Sequence, residues 1–225
     1  IATYTHSVVF EPLTGDNTAR FDPLKFSWIG NMDESTQTCV ISGVPGIRTF
    51  DDLFAKEALF GGSGAGTAGP LSQTPNAIRN LTGAKIKLIQ GYRGSFDIKL
   101  AIERNEVHGL CGLPTSTART EWRDMLDSGR IKFFLQLGRK KHPDLAGVAH
   151  IYDYAKSDED RFVYDLIFGT QGLGRPYMAP PGVPAARVAA LRKALLDTMA
   201  DPTFLAEAKA AQIDVTPLGG AEVHK

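Results

Sequence analysis

The sequence lacks the features that identify several protein classes at once. No stretch of roughly 18 or more apolar residues is present, so no membrane-spanning helix is expected. Basic and acidic residues number 25 each, and without a basic excess no nucleic-acid partner is expected. The five histidines show no metal-ligand spacing, so neither a metal nor another cofactor is expected.

Only two cysteines occur among the 225 residues, Cys39 and Cys111. They are far apart in the sequence, neither belongs to a CxxC or Cys/His cluster, and both lie in apolar stretches. Because cysteine is among the residues most often buried, two buried free thiols are predicted. A disulfide would require a Cα–Cα separation of about 6 Å, a distance that the sequence does not report.

Strand-like and helix-like segments alternate along most of the chain. The predicted strands are 26–31, 38–42, 59–60, 85–90, 106–111 and 131–137. The predicted helices are 49–58, a segment ending near 81, a segment starting at 95, 115–126, 158–168, a segment starting at 184 and a last one ending near 212. This alternation predicts an α/β fold with mostly parallel sheets.

A glycine-rich loop at residues 61–69 carries the clearest chemical signal. It follows a short predicted strand and opens a predicted helix, so unpaired backbone N–H groups and the helix dipole both favour a bound carboxylate or phosphate. The expected donors are the backbone amides of Gly64, Ala65, Gly66 and Thr67 and the hydroxyls of Ser63 and Thr67.

A second turn from strand to helix, residues 91–97, is predicted to supply another anchor through Gly94 and Ser95. In a parallel sheet both helix starts would lie at the carboxyl edge of the strands, where open α/β sheets bind ligands. Ser95 is equally a candidate N-cap residue. Arg93 is interpreted as a solvated turn residue rather than an anion clamp.

An NADP-dependent enzyme is one alternative interpretation of the loop. Gly64, Gly66 and Gly69 match the spacing G-x-G-x-x-G. A dinucleotide site also needs an acid at the end of the next strand, and the predicted strand 85–90 has none. Arg93 could meet the phosphate of NADP, so the alternative stays open.

A serine enzyme is the second alternative. Residues 61–64 fit the start of a G-x-S-x-G turn, but Ala65 stands where the last glycine belongs. The base would have to come from His108, His142, His150 or His224. A third interpretation gives the glycines a packing role only.

Several landmarks recur in a fixed order. They are Phe21-Asp22-Pro23, the segment 49–53, the loop 61–69, the turn 91–94 with its helix, the segment 106–109, Met178 to Pro184 and Asp201-Pro202. This order and spacing resemble the solute receptors of tripartite tricarboxylate transporters, the Bug-type receptors. The likeness covers nearly the whole chain.

The resemblance implies a type II periplasmic binding-protein fold, in which two α/β lobes are joined by a hinge. On that template residues 1–40 form part of lobe one, 41–165 form lobe two and 166–225 return to lobe one. Members of the family have roughly 90 to 100 more residues at the N-terminus, including a signal peptide, so the first lobe is expected to be incomplete here.

The resemblance also implies a periplasmic location, a small organic acid as ligand and membrane transporter subunits as partners. No catalysis is expected, and the chain is expected to be a monomer. Two segments depart from the family pattern. Residues 90–94 replace the more usual Pro-Tyr-Lys-Gly turn, and residues 144–168 differ from the usual acidic segment.

Overall fold

The computed structural model describes residues 1–3, 20–64 and 70–224. The chain divides into two compact units: unit 1 is Ile1–Ser35 with Thr170–Lys225, and unit 2 is Thr36–Gly169. The strands are β1 (Ala2–Thr3), β2 (Ser27–Asn31), β3 (Gln37–Ser42), β4 (Ala58–Ser63), β5 (Ile86–Tyr92), β6 (Gly109–Pro114), β7 (Ile131–Gln136), β8 (Ala149–His150), β9 (Pro176–Ala179) and β10 (Leu218–Gly219). The helices are α1 (Pro70–Thr82), α2 (Ser95–Glu103), α3 (Thr115–Glu121), α4 (Arg123–Asp127), α5 (Asp158–Phe168), α6 (Ala185–Ala200), α7 (Pro202–Ala210) and α8 (Gly220–Val223).

Unit 1 contains a four-stranded sheet in the order β1-β9-β2-β10, and its three pairings are antiparallel. Trp28 of β2 and Met178 of β9 are paired and buried. Helix α7 begins after Asp201, whose carboxylate accepts hydrogen bonds from the amides of Thr203 and Phe204. The helices expected from 184 onward are present: α6 begins directly after Pro184, and α7 is capped by Asp201.

Unit 2 contains a six-stranded sheet in the order β5-β4-β6-β3-β7-β8. Strand β4 is parallel to β5 and β6, and β7 is parallel to β8. Strand β3 is antiparallel to both of its neighbours, β6 and β7. The α/β class is confirmed, but the expectation of mostly parallel sheets is wrong for unit 1 and for β3. Hydrophobic patterning reports a strand and its buried faces, not its direction.

Two apolar clusters cover the sheet of unit 2. Cys39 and Ile41 belong to one cluster, which also contains Phe50 and Tyr164, whereas Val40 belongs to the other. Because successive side chains of a strand point to opposite faces, the clusters lie on opposite faces of the sheet. This burial on both faces explains why the central strands β3 and β6 are almost entirely buried.

Cys39 and Cys111 form a disulfide rather than two free thiols, so that prediction is wrong. The two residues are direct partners in the pairing of β3 with β6, and their Cα atoms are 4.0 Å apart. Each is buried, at 1% exposure. The sequence places them 72 residues apart, and only the long-range pairing of the two strands brings them together.

The helix expected at 49–58 is also wrong. The segment forms a short 3₁₀ helix, Phe50–Phe54, and β4 already begins at Ala58. The expected start signal is present, because the carboxylate of Asp52 accepts hydrogen bonds from the amides of Arg48 and Thr49. Both hydrogen bonds lower the pKa of Asp52, and the one from the Thr49 amide has the larger effect. The strand that follows leaves room for a single short turn only.

Candidate functional site

The candidate site lies at the carboxyl edge of the sheet in unit 2. Strands β5, β4 and β6 are neighbours, and β4 runs parallel to the other two. Their carboxyl ends therefore lie at one edge, and each strand leads into a helix, α1 after β4, α2 after β5 and α3 after β6. The N-terminal end of a helix carries free amide groups and partial positive charge, so this edge is suited to an anion.

The ends of β4 and β5 are fastened together. Ser63 is the register partner of Tyr92, and the amide of Gly64 donates to the carbonyl oxygen of Tyr92 over 3.0 Å. The buried hydroxyl of Ser72, in α1, donates to the carbonyl oxygen of Ser63 over 2.9 Å. Ser63 and Gly64 are thereby held beside the turn that carries Gly94.

The glycine-rich segment has two parts with different roles. Gly61 and Gly62 are the last glycines of β4 rather than loop residues. A Cβ atom on Gly61 would lie 2.5 Å from Ile98 Cγ2, and one on Gly62 would lie 2.7 Å from Ser72 Oγ. These two glycines let α2 and α1 pack closely on the strand. Gly64 is exposed and has φ +79°, and a Cβ atom on it would meet none of the described residues within 4 Å, so packing against them does not explain this glycine.

The remaining predicted donors of the loop, Ala65, Gly66 and Thr67, lie outside the described residues. Their role as amide and hydroxyl donors stays a prediction. Gly69, which the NADP interpretation requires, lies in the same gap.

The start of α2 supplies the second group of donors. Its N-cap is Gly94, in extended backbone with φ 176°, and among the described residues no side chain caps the helix. Ser95 is thus the first helical residue, and the interpretation of Ser95 as an N-cap is wrong. A Cβ atom on Gly94 would meet nothing within 4 Å of it in the described structure. The described residues therefore leave space beside Gly94, at the start of α2.

The one cation in this turn, Arg93, is paired. Its guanidinium donates to the carboxylate of Asp97 over 2.8 Å and 3.3 Å, and its backbone amide donates to the same carboxylate. The hydrogen bond from the Arg93 side chain lowers the pKa of Asp97. The pair is a solvated surface feature, since the Arg93 side chain is 90% exposed.

Two features of this edge escaped the sequence interpretation. Phe96, in the first turn of α2, is 66% exposed, which is high for a large apolar residue. The helix start at Thr115 was predicted, but it was not assigned to this edge, because the strand before it was predicted to end at 111 and ends at Pro114. The run Pro-Thr-Ser after an apolar strand was the available signal.

Two of the histidines that could have served Ser63 as a base, His108 and His150, have other partners. His108 Nδ1 accepts a hydrogen bond from the amide of Leu59, which is four residues, or about 13 Å, before Ser63 along β4. The His150 ring bonds to the carbonyl oxygen of Gly138. Neither contact supports a serine–histidine pair at Ser63.

Dinucleotide and metal sites are equally unsupported. Strand β5 contains no acid, and Arg93 is committed to Asp97. In residues 1–3, 20–64 and 70–224 no group of three or more histidine, cysteine or acidic side chains is arranged to hold a metal. Nor does any helix in those ranges have the length and apolar character to cross a bilayer.

A cavity of about 390 Å³ lies elsewhere, in unit 1. It is lined mainly by apolar side chains, including Ile29, Leu191, Leu195, Met199 and Phe204. A carboxylate placed there would lose its hydration without gaining charged or amide partners, which is costly. The helix starts of unit 2 suit an anion better.

No family model matches the sequence, and no curated protein matches it. Solved structures do match. A TctC solute-binding protein from Polaromonas superimposes with a TM-score of 0.70 at 13% identity, over 99% of this chain and 71% of that one. The chain has the fold of TctC-type solute-binding proteins. The periplasmic binding protein BugD shows the same TctC-type fold, with a TM-score of 0.65 at 19% identity over 99% of this chain and 71% of its own.

A third matching structure holds a ligand. It is a protein from R. palustris solved with adipate, with a TM-score of 0.59 at 17% identity, covering 91% of this chain and 64% of that one. The first two of these neighbours are named as binding proteins. The likeness confirms the type II periplasmic binding-protein fold that the sequence landmarks predicted.

Proposed function

We propose that the protein is an extracytoplasmic solute receptor that binds a small organic carboxylate for a transporter of the tripartite tricarboxylate type. The observation that carries the proposal is the pair of adjacent parallel strands, β4 and β5, whose ends are fastened by the Gly64–Tyr92 hydrogen bond and lead into two helix starts. The TctC-type fold supports it, and so does the adipate bound by one protein of that fold.

The chemistry of recognition is hydrogen bonding by neutral donors. The amides of the first turn of α2, with the hydroxyls of Ser63 and Ser95, replace the water around a carboxylate. The amide of Gly64, which the sequence predicted as a donor to the ligand, donates instead to the carbonyl oxygen of Tyr92 and holds the loop in place. Ala65, Gly66 and Thr67 complete the donor set in this proposal. Fixed N–H dipoles suffice for one anion, so no buried cation is required. The pairing of Arg93 with Asp97 is consistent with this arrangement.

The proposal extends to location and partners. A disulfide joins Cys39 to Cys111, and disulfides persist in oxidising compartments such as the periplasm. The receptor would pass its ligand to membrane transporter subunits, act as a monomer and perform no chemistry on the ligand. The two compact units would be the two lobes, with boundaries near residues 35 and 169 in place of 40 and 165.

Titration calorimetry of the 225-residue chain tests the ligand class. The panel comprises adipate, malate, benzoate, aspartate and nicotinate, with NADP beside them. Saturable binding of at least one carboxylate and no binding of NADP is expected. Binding of NADP with no response to any carboxylate would replace the receptor by a nucleotide-dependent protein.

The position of the site is tested by removing a single amide. Ser95→Pro deletes one N–H at the first helical position, where proline is well tolerated, and Ser95→Ala deletes only the hydroxyl. If the α2 amide holds the carboxylate, Ser95→Pro should weaken binding by about tenfold to a hundredfold, since a hydrogen bond to a charge contributes about 1.5–3 kcal/mol.

The matched control is Ala185→Pro, which makes the same change at the first residue of α6, in unit 1. It should bind the carboxylate like the parent chain. If Ser95→Pro also binds like the parent while both variants are folded, α2 is not the anchor and the proposed site is wrong, whatever the calorimetry shows for the ligand class.

A further inference from the structure

Three segments of unit 1 meet where the chain passes into unit 2 and returns. Segment 31–34 ends just before the passage at Thr36, and segment 172–175 follows the return after Gly169. Segment 214–216 is hydrogen-bonded to the first, through the amide of Thr216 to the carbonyl oxygen of Met32. We call these three segments the crossing joint. Both passages of the chain between the units are anchored in it.

The side chain of Asn31 holds the crossing joint together by hydrogen bonds. It is fully buried, and its Nδ2 donates to the carbonyl oxygens of Asp33 and Gly172 over 2.6 Å and 3.0 Å. Its Oδ1 accepts a hydrogen bond from the amide of Arg175 over 2.9 Å. One amide group thus ties the outgoing segment to the returning one, so the two cannot separate without losing buried hydrogen bonds.

The carboxyl group of Asp33 is enclosed in this joint. The amide of Gly174 donates to the carbonyl oxygen of Asp33 over 3.0 Å. A Cβ atom on Gly174 would lie 2.7 Å from both the carbonyl oxygen and Oδ2 of Asp33, so no larger residue fits there. Asp33 Oδ1 is buried and has no hydrogen-bond partner among the described residues. An ionised carboxylate in this position is poorly compensated.

The charges that face Asp33 come from the other two segments. Burial is the main cause that raises the pKa of Asp33 above its ordinary value of 3.8. Arg175, on the returning segment, acts in the opposite direction, and the negative charge of Asp214, near the third segment, raises the pKa further. Glu34 is the remaining acid of the outgoing segment; it is exposed, and its amide donates to Thr216 Oγ1.

We propose that protonation of Asp33 stabilises the crossing joint. With the proton bound, the carboxyl packs against Gly174 without an unpaired charge, and the joint is tight. When the proton leaves, the buried charge loosens the hydrogen bonds between segments 31–34 and 172–175. This regulation belongs to unit 1 and does not depend on the ligand site of unit 2.

The direction of the pH effect on the joint follows from proton linkage. Because the folded joint binds the proton more tightly than the opened one, the contribution of Asp33 is fully present below about pH 3.8. It is lost as the pH rises through the raised pKa of the folded state. The joint is therefore expected to open more often near neutral pH than in acid.

Amide hydrogen exchange of the full chain, followed by NMR between about pH 4 and pH 8 and corrected for intrinsic rates, tests the proposal. The protection of the Gly174 and Arg175 amides should fall at least about twofold across that range, because the closed joint binds the proton more tightly than the opened one. Asp33→Asn, which cannot ionise, should make the protection independent of pH. Glu34→Gln, the neighbouring acid, should keep the parent behaviour.

Flat protection in the parent chain, or the same pH dependence in Asp33→Asn, would overturn the proposal. If Asp33→Asn does not fold, titration of the Asp33 carboxyl carbon in the parent chain decides the matter. A midpoint at or below about 3.8 overturns the proposal, and a midpoint above it supports the proposal.

Discussion

The guanidinium of Arg93 and the carboxylate of Asp97 form an ion pair 2.8 Å apart, four residues from each other on the chain. Arg93 is the only basic residue of the turn 91–97. Its pairing with Asp97 leaves this turn without a free positive charge. Exposed pairs of this kind contribute little to stability. Their effect here is to leave the edge with neutral donors.

Substitution of Arg93 by glutamine should therefore hardly affect ligand binding. We expect the carboxylate that binds best to lose less than about threefold in affinity, with a weak dependence on salt in both parent and variant, because neutral amides make the contacts. Calorimetry at low and high ionic strength measures this. Asp97→Asn is the matched control, since it breaks the same pair but leaves the cation. A loss of more than about tenfold in Arg93→Gln alone would mean that the guanidinium holds the ligand directly.

His108 should make the stability of unit 2 depend on pH. Its Nδ1 must be unprotonated to accept the Leu59 amide at 3.0 Å, and burial lowers its pKa. The unfolded chain therefore binds the proton first, so stability is complete above the ordinary pKa of 6.5 and falls as the pH drops through the lowered folded value. Urea unfolding from neutral to mildly acidic pH should show this loss in the parent chain.

His108→Asn offers an acceptor oxygen in a similar position but does not titrate. The variant should keep its stability at the pH values where the parent chain loses it. An equal loss in both chains would assign the effect to other groups and would contradict this role for His108.

Loss of the disulfide should destabilise unit 2. The Cys39–Cys111 link closes a loop of 72 residues, for which chain entropy gives a contribution of about 4 kcal/mol. Urea unfolding of the double variant Cys39→Ala, Cys111→Ala should show a decrease of about 2–5 kcal/mol. A reducing agent should shift the parent chain in the same direction and leave the double variant unchanged. A thiol assay of the parent chain in urea should find no free thiol, and two free thiols would contradict the disulfide.

Local signals allowed several elements to be predicted. Helix α5 was predicted at 158–168 and spans Asp158–Phe168, because Ser157 caps it and three acids fill its first turn. Strand β2 was predicted one residue too long at its start. In these elements the start signal, the apolar pattern and the end all lie within a few residues of each other, so neighbouring residues alone define them.

The rest depends on distant partners. The direction of β3 is set by β6 and β7, and the disulfide follows from that pairing. The sequence could not show that the glycines of the segment 61–69 have different roles. Gly61 is required because Ile98 packs against it, whereas Gly64 has a positive φ. All of these properties depend on residues that approach only after the sheet has formed.

Unit 1 is assembled from the two ends of the described chain, and every pairing in its sheet joins a strand before residue 32 to a strand after residue 175. During synthesis unit 2 can complete its sheet while the partners of β1 and β2 are still on the ribosome. Pairings of such long sequence separation form late and slowly. A product that stops short of β9 would therefore carry β2 as an open edge, and we expect it to aggregate rather than to persist as a smaller protein.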